Sequence, residues 1–229
     1  MSPLRVFVGA DPRQPLAYTV CASSVLRHSK RRVHVEPIGL YEWGEPPVKR
    51  GLTTFSVARY LVPYLCGFQG TSVFLDGDIV ALGDIHELAS IAYSQPDASV
   101  CVAKHVHRFE WPSVMVFNNW KCRQLTPEYI NAIQPANLEW ATIGDLPKEW
   151  NHCIGYEDHN ESAKLLHFTA GLPCWDETKD SPHAEKWEEE LKHAISTVSY
   201  KALMGNSIHD PMVKTGQLRR GMTLAEKTA

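Results

Sequence analysis

The sequence predicts an α/β fold, and three observations carry that prediction. The first 40 residues read as strand, helix and strand: "LRVFVGAD" (4–11), "PLAYTVCASSVLRHS" (15–29) and "RVHVEPIGL" (32–40). A β-α-β opening belongs to parallel sheets with crossover helices. Beyond it, short β-branched runs keep alternating with segments of helical period. Three of the runs end in polar residues, at Asp11, at Asp76-Gly77-Asp78 and at His167. Open α/β sheets bind ligands at the carboxyl ends of their strands, so these endings are expected to face one cleft.

The elements follow in order. The first run closes on Gly-Ala-Asp-Pro, and Pro15 suits the first turn of the helix after it. "YEWGEPPVKRGLTT" (41–54) is a Pro/Gly-rich loop. "FSVARYLVPYLC" (55–66) is an amphipathic helix that Pro63 bends or ends. "TSVFLDGDIVAL" (71–82) reads as a third strand and "GDIHELASIAYS" (83–94) as a short helix. Two more strands are expected at 98–106 and 111–119. Thr126 as N-cap and Pro127 after it open a helix over 126–134. "LPKEWNHCIGY" (146–156) reads as a loop into a strand, and "AKLLHFTAG" (163–171) as a last strand ending in a glycine turn. "AEKWEEELKHAIST" (184–197) is a helix with a charged face, and the tail from Gly216 is polar and expected to fray.

At 229 residues the chain can bury one sizeable core. The expected division is a main domain over 1–175 and a helical extension over 176–229, packed on or beside it. A formal net charge of −3 offers no global basic field, which argues against a nucleic-acid partner. Six cysteines without C-x-x-C spacing fit free thiols in a reducing compartment better than disulfides or a zinc cluster. The N-terminus lacks an apolar signal core and no apolar run is long enough to span a bilayer, so the expectation is a soluble cytoplasmic protein. Peripheral contact with a membrane and a homodimeric assembly are both compatible with the sequence. The acidic 184–195 helix favours packing on the domain or a partner subunit over lying on a membrane.

"SVFLDGDIV" (72–80) drives an apolar run into two carboxylates. Buried carboxylates cost desolvation energy unless a positive partner meets them. On a strand, residues 76 and 78 share a side, and Gly77 between them permits a tight turn. Two convergent carboxylates at a strand end suit Mg²⁺ or Mn²⁺, which take oxygen donors and leave positions for phosphate oxygens. The competing reading makes the acids helix caps or turn formers. His167 also ends an apolar run and its imidazole suits Mn²⁺, whereas a core histidine is the plainer explanation. The Gly and Thr of "HFTAGLPCW" make a loop whose amides can approach a phosphate.

Taken together, "LRVFVGADPRQPLAY", "FSVARYLVPYL", "SVFLDGDIVALGDIHEL", "SVMVFNN", "LPKEWN" and "LLHFTAGLPCW" resemble glycosyltransferase family 8 over about residues 4–175. These are retaining, nucleotide-sugar-dependent enzymes of glycogenin and lipopolysaccharide-galactosyltransferase type. The resemblance implies a GT-A fold, a single Rossmann-like domain with a mixed central sheet flanked by helices. It implies transfer of a sugar from a UDP-sugar donor to a saccharide, lipid-linked or protein acceptor, in bacterial surface-glycan or other saccharide synthesis. By the same resemblance Asp76, Asp78 and His167 would hold the metal that binds the donor diphosphate. Val8, Gly9, Ala10, Asp11 and Tyr18 match the segment that contacts uracil and ribose. Arg59 matches a basic residue that reaches the donor, and Gly77 and Gly171 line the diphosphate path. Asn118 and Asn119 fall where the family's F-N motif contacts the sugar.

The chain departs from the family pattern at three points. Pro173 stands where a diphosphate-binding lysine is expected, leaving metal, backbone amides or another base such as Arg59. No D-Q pair follows "FNN", and Glu139 is the nearest acid that could stand in for it. The stretch between "VAKHV" and "WPSVMVFNN" is short. Two other readings remain open at this point: a haloacid-dehalogenase-like phosphatase with Asp76 as nucleophile and Asp78 as acid/base, and a non-catalytic nucleotide-sugar-binding protein.

Overall fold

The computed structural model describes residues 3–39, 55–133, 138 and 140–196. The loop expected over 41–54, Glu139 and the tail beyond Gly216 lie outside them. In chain order the elements are β1 (Leu4–Gly9), α1 (Pro15–His28), β2 (Val33–Ile38), α2 (Phe55–Ala58), α3 (Val62–Leu65), β3 (Thr71–Leu75), β4 (Ile79–Ala81) and α4 (Ile85–Tyr93). They continue as β5 (Val100–Ala103), β6 (Val114–Asn118), α5 (Pro127–Ile133), β7 (Ile143–Leu146), β8 (His152–Cys153), β9 (Leu165–His167) and α6 (Ala184–Ala194).

The central sheet is mixed, with strand order β2-β1-β3-β6-β5-β7. β1 lies parallel to β2 and β3, whereas β6 runs antiparallel to both its neighbours. Alternation along the strands gives the sheet two apolar faces. Val6, Val8, Val73 and Leu75 point to a cluster completed by Cys21, Val25, Ile85 and Leu88 of α1 and α4. Phe7, Phe74, Met115 and Phe117 point the other way, onto Phe55, Tyr60 and Leu61. A second sheet, β4-β9-β8, packs with α1 and α6 around Leu166, Phe168 and Trp187.

Two expectations are corrected. The segment 71–82 is not one strand: β3 belongs to the large sheet and β4 to the small one, and Asp76-Gly77-Asp78 is the turn between them. The helix over 55–66 is broken into α2, a 3-10 turn at Arg59–Leu61 and α3. Pro63 sits in the first turn of α3 and has no N–H to return to Arg59, so the α-helical ladder cannot pass through. The Val62 N–H instead bonds Arg59 O in the tighter pattern.

α6 docks on α1 through Glu190, which accepts from Arg27 and lies 2.9 Å from His28 Nε2. Burial raises the pKa of Glu190, yet those partners outweigh it and hold the carboxyl below its ordinary range. All six cysteines are free thiols. Among the described residues no helix is long and apolar enough to cross a membrane.

Candidate metal and donor site

Register fixes which residues meet. β1 and β3 pair in parallel up to Val8 and Leu75, so Gly9–Asp11 and Asp76–Asp78 leave the sheet at the same carboxyl edge. Gly77 packs onto Gly9 so closely that a Cβ there would stand 2.4 Å from the Gly9 carbonyl oxygen. Glycine is thus required by contact between two backbones. β4 then leads away antiparallel to β9, with Ile79 opposite His167 and the Phe168 N–H on Asp78 O at 3.0 Å. The turn and the end of β9 therefore bring Asp76, Asp78 and His167 together, close enough for all three to hold one ion.

Both acids have charged partners. Arg59 Nη2 lies 3.0 Å from Asp76 Oδ1, and His167 Nε2 lies 3.3 Å from Asp78 Oδ1. The two Oδ1 atoms are buried and, among the described residues, neither accepts a hydrogen bond of good geometry. Burial drives Asp76 up to about 6, against the pull of Arg59, and Asp78 adds to the rise. Burial opposes ionisation of His167 as well, but Asp78 outweighs it and raises the imidazole well above its ordinary value. Asp78 is lowered in return, despite its own burial. Of the competing reading, the helix-cap half is overturned, since the cap of α4 is Asp84, which accepts from the His86 N–H at 3.1 Å. The turn half holds, because both acids flank the turn between β3 and β4.

Arg59 meets Asp76 directly. It is buried, its Nη1 donates to Pro112 O at 2.7 Å, and its guanidinium lies 4.9 Å from the Phe74 ring centre. Its charge is committed beneath Asp76, so it positions that carboxylate. Asn118 and Asn119 are not brought to the cluster. β6 is antiparallel to β3 and sets Asn118 opposite Thr71, the far end of the strand that leads to Asp76. That is roughly 16 Å from Asp76 at a strand's rise per residue. Asn119 is fully buried, accepts from Ser72 Oγ and donates to Gln69 O, which ties the sheet's other end.

The remaining expected residues are placed as follows. Val8 is core. The Ala10 N–H bonds Ile38 O, and Asp11 is buried and holds the Arg13 N–H and side chain. Tyr18 is half-buried against the α1 face of the sheet, and burial raises its hydroxyl pKa. Gly171, at φ +131°, has the Trp175 ring where a Cβ would be.

Two residues that sequence reasoning missed stand behind His167. Asn151 Oδ1 lies 3.1 Å from His167 Nδ1, and its amide donates to Glu110 O. Glu110 is buried, accepts from Thr169 Oγ1 at 2.7 Å and has Oε2 3.6 Å from the same Nδ1. With Nδ1 occupied, Nε2 is the nitrogen turned toward Asp78. Asn151 stands in the quoted "LPKEWN", but no pattern singles out Glu110 in "HRFEWPS".

The residues suit a divalent cation: two buried carboxylate oxygens that accept no hydrogen bond of good geometry among the described residues, and one oriented imidazole. No protein-family model matches the chain. Among solved structures, the galactosyltransferase LgtC, in complex with donor and acceptor sugar analogues, superposes with a TM-score of 0.64 at 13% identity. That match covers 86% of this chain and 98% of LgtC. The bifunctional glycosyltransferase WbbM gives 0.58 at 14% identity over 83% of this chain, which spans half the length of WbbM. At such identities the likeness is one of fold, and the fold is GT-A. The chain itself belongs to the family of Protein CDI of Arabidopsis thaliana, 32% identical over 228 residues, covering 83% of this chain and 86% of that protein.

Proposed function

We propose that the chain is a metal-dependent retaining glycosyltransferase of family 8 type that moves a sugar from a UDP-sugar to an acceptor hydroxyl. One observation carries the reading. Asp76, Asp78 and His167 converge at the carboxyl edge of a GT-A sheet, with two buried carboxylate oxygens that, beyond their ion pairs, accept no hydrogen bond of good geometry among the described residues. Asp76, Asp78 and His167 Nε2 would hold Mn²⁺ or Mg²⁺. The ion, when bound, supplies Lewis-acid neutralisation of the charge gathering on the departing diphosphate.

The chain's own residues do the rest. Arg59 keeps Asp76 in place from below. Asn151 and Glu110 hold His167 in one orientation. Gly9, Ala10 and Asp11 leave β1 beside the cluster and would meet the nucleoside. The buried floor under the acids keeps water from one side and strengthens every charge interaction there. A phosphatase is disfavoured because the strand before Asp76 is third in order and lies between β1 and an antiparallel β6. In that class the nucleophile strand normally opens the fold.

Calorimetry of UDP binding tests the reading. The wild-type protein is expected to bind UDP in Mn²⁺ and to lose that binding in Asp78→Ala, and a UDP-sugar is expected to release UDP. Phosphate release from phosphomonoesters without any UDP binding refutes it.

A further inference from the structure

We infer that the exposed rings of His107, Phe109 and Tyr156 form a saccharide-binding platform that receives the acceptor, an assignment that rests on the transferase reading for the word acceptor but not for the ligand class. Phe109 is 65% and Tyr156 46% exposed, unusual for large aromatic side chains. They are not scattered. The His107 ring centre lies 5.5 Å from Phe109 and 4.8 Å from Tyr156, and Phe109 meets Tyr156 edge-on at 6.2 Å. Three rings in mutual contact make one surface from two separate segments of chain.

The platform is rigidly supported. Gly155 adopts φ +93°, and the Tyr156 N–H closes the turn on Cys153 O. Glu157 reaches back beneath that turn, accepting the Cys153 N–H at 3.0 Å and lying 3.1 Å from His105 Nδ1 and 3.4 Å from His152 Nδ1. On the other segment, Trp111 Nε1 donates to His105 O, and the Arg108 guanidinium lies 5.2 Å from the Trp111 ring centre. Rings held this way need little further ordering when a ligand arrives.

Its position argues for the acceptor. β5 is parallel to β3, since both pair antiparallel with β6, so the segment after Ala103 emerges at the edge that carries the metal-site acids. Phe109 precedes Glu110, whose Oε2 is 3.6 Å from His167 Nδ1. Tyr156 is three residues past Cys153, whose Sγ is 3.8 Å from that same nitrogen. Both segments therefore start at the back of the metal site and end in exposed rings, within a few residues' reach.

The chemistry selects a sugar. Aromatic faces offer area to the C–H face of a pyranose, while the Tyr156 hydroxyl and His107 nitrogens offer hydrogen bonds to its rim. A lipid chain calls for a continuous aliphatic groove, whereas two of these three rings, His107 and Tyr156, carry polar atoms, and Arg108 and Glu157 are their neighbours in sequence.

Saturation-transfer NMR on the full chain, with lactose, maltose and xylobiose as probes, each with and without Mn²⁺-UDP, tests the assignment. At least one disaccharide is expected to bind in the millimolar range. Phe109→Ala and Tyr156→Ala are each expected to weaken it about tenfold, the loss of one stacking contact. Tyr156→Phe is expected to retain it within about threefold by the same reasoning. Mn²⁺-UDP affinity should stay at the wild-type value in all three variants, whose altered side chains are on the surface. Absence of binding by all three probes, binding indifferent to both alanine variants, or an equal loss of UDP affinity overturns the platform. Ring-dependent saccharide binding in a protein that fails to bind Mn²⁺-UDP removes the transferase reading and leaves the platform standing.

Discussion

Replacing Arg59 by Met tests the central electrostatic claim, that this guanidinium is the counter-ion of a buried Asp76. Met keeps much of the apolar stem and removes the charge. At 3.0 Å and an effective dielectric of about 20, the pair attracts by about 5 kcal/mol. Desolvation of both groups offsets most of that, but removing one partner of a buried pair costs about 3–5 kcal/mol. Protonation caps the loss, because Asp76 already titrates near 6 with Arg59 present and rises further without it. The expected destabilisation at neutral pH is thus about 2–4 kcal/mol, or a melting point lower by roughly 5–15 °C. Its pH dependence has a definite sign. A carboxyl raised above its unfolded value favours the fold when protonated, and that stability is lost as pH rises through the folded pKa. In metal-free wild type the loss runs from the unfolded carboxylate range through the folded value of about 6 and is complete only above it, and in the variant it extends higher. Urea denaturation of wild type, Arg59→Met, Asp76→Asn and the double variant at pH 5 and 7.5 measures it. The double variant is expected to be more stable than Arg59→Met alone at pH 7.5. Additivity of the single effects within about 0.5 kcal/mol refutes the pairing.

Two further predictions concern other contacts. Glu190→Gln is expected to cost about 1 kcal/mol at pH 7, since Arg27 stays partly hydrated. Because the Glu190 carboxyl is lowered in the fold, its contribution is present above the ordinary glutamate range and lost as pH falls through the folded value. The wild-type and Gln acid-unfolding curves should therefore converge below about pH 4. Asn151→Ala removes the partner of His167 Nδ1 and is expected to weaken Mn²⁺ binding about 10–100-fold, read from the spin-resonance signal of free Mn²⁺.

The β-α-β opening was legible because period-two runs and a helical run alternate there without interruption. The turn at Asp76-Gly77-Asp78 was not, because apolar residues on both sides of it hide the passage from one sheet to another. A period-two argument put both acids on one face of a strand, whereas a turn held by Gly77 against Gly9 brings them together. Asn118 was misplaced because its position depends on the direction of β6, and strand direction is not written in the residues of the strand. Arg59 was expected to reach the donor, and its ion pair with Asp76 follows only from its burial and its bond to Pro112 O. Glu110 and Asn151 act on His167 from separate, sequence-distant segments of chain, a juxtaposition that local pattern does not encode.

The charge balance of the site bears on the lysine that Pro173 replaces. Asp76, Asp78 and Glu110 bring three carboxylates to the cluster, against the Arg59 guanidinium and the His167 imidazole. With the imidazole protonated these groups sum to −1, and with it neutral to −2. A nucleotide diphosphate approaching that surface meets repulsion in either state, and a low-dielectric floor makes the repulsion stronger. A lysine beside the diphosphate would relieve part of it, and Arg59 already has contacts with Asp76 and Pro112 O. On the transferase reading, binding of a diphosphate here is therefore expected to require a divalent cation more stringently than in a site that keeps its lysine. Metal-free protein should show no measurable UDP affinity rather than a merely reduced one.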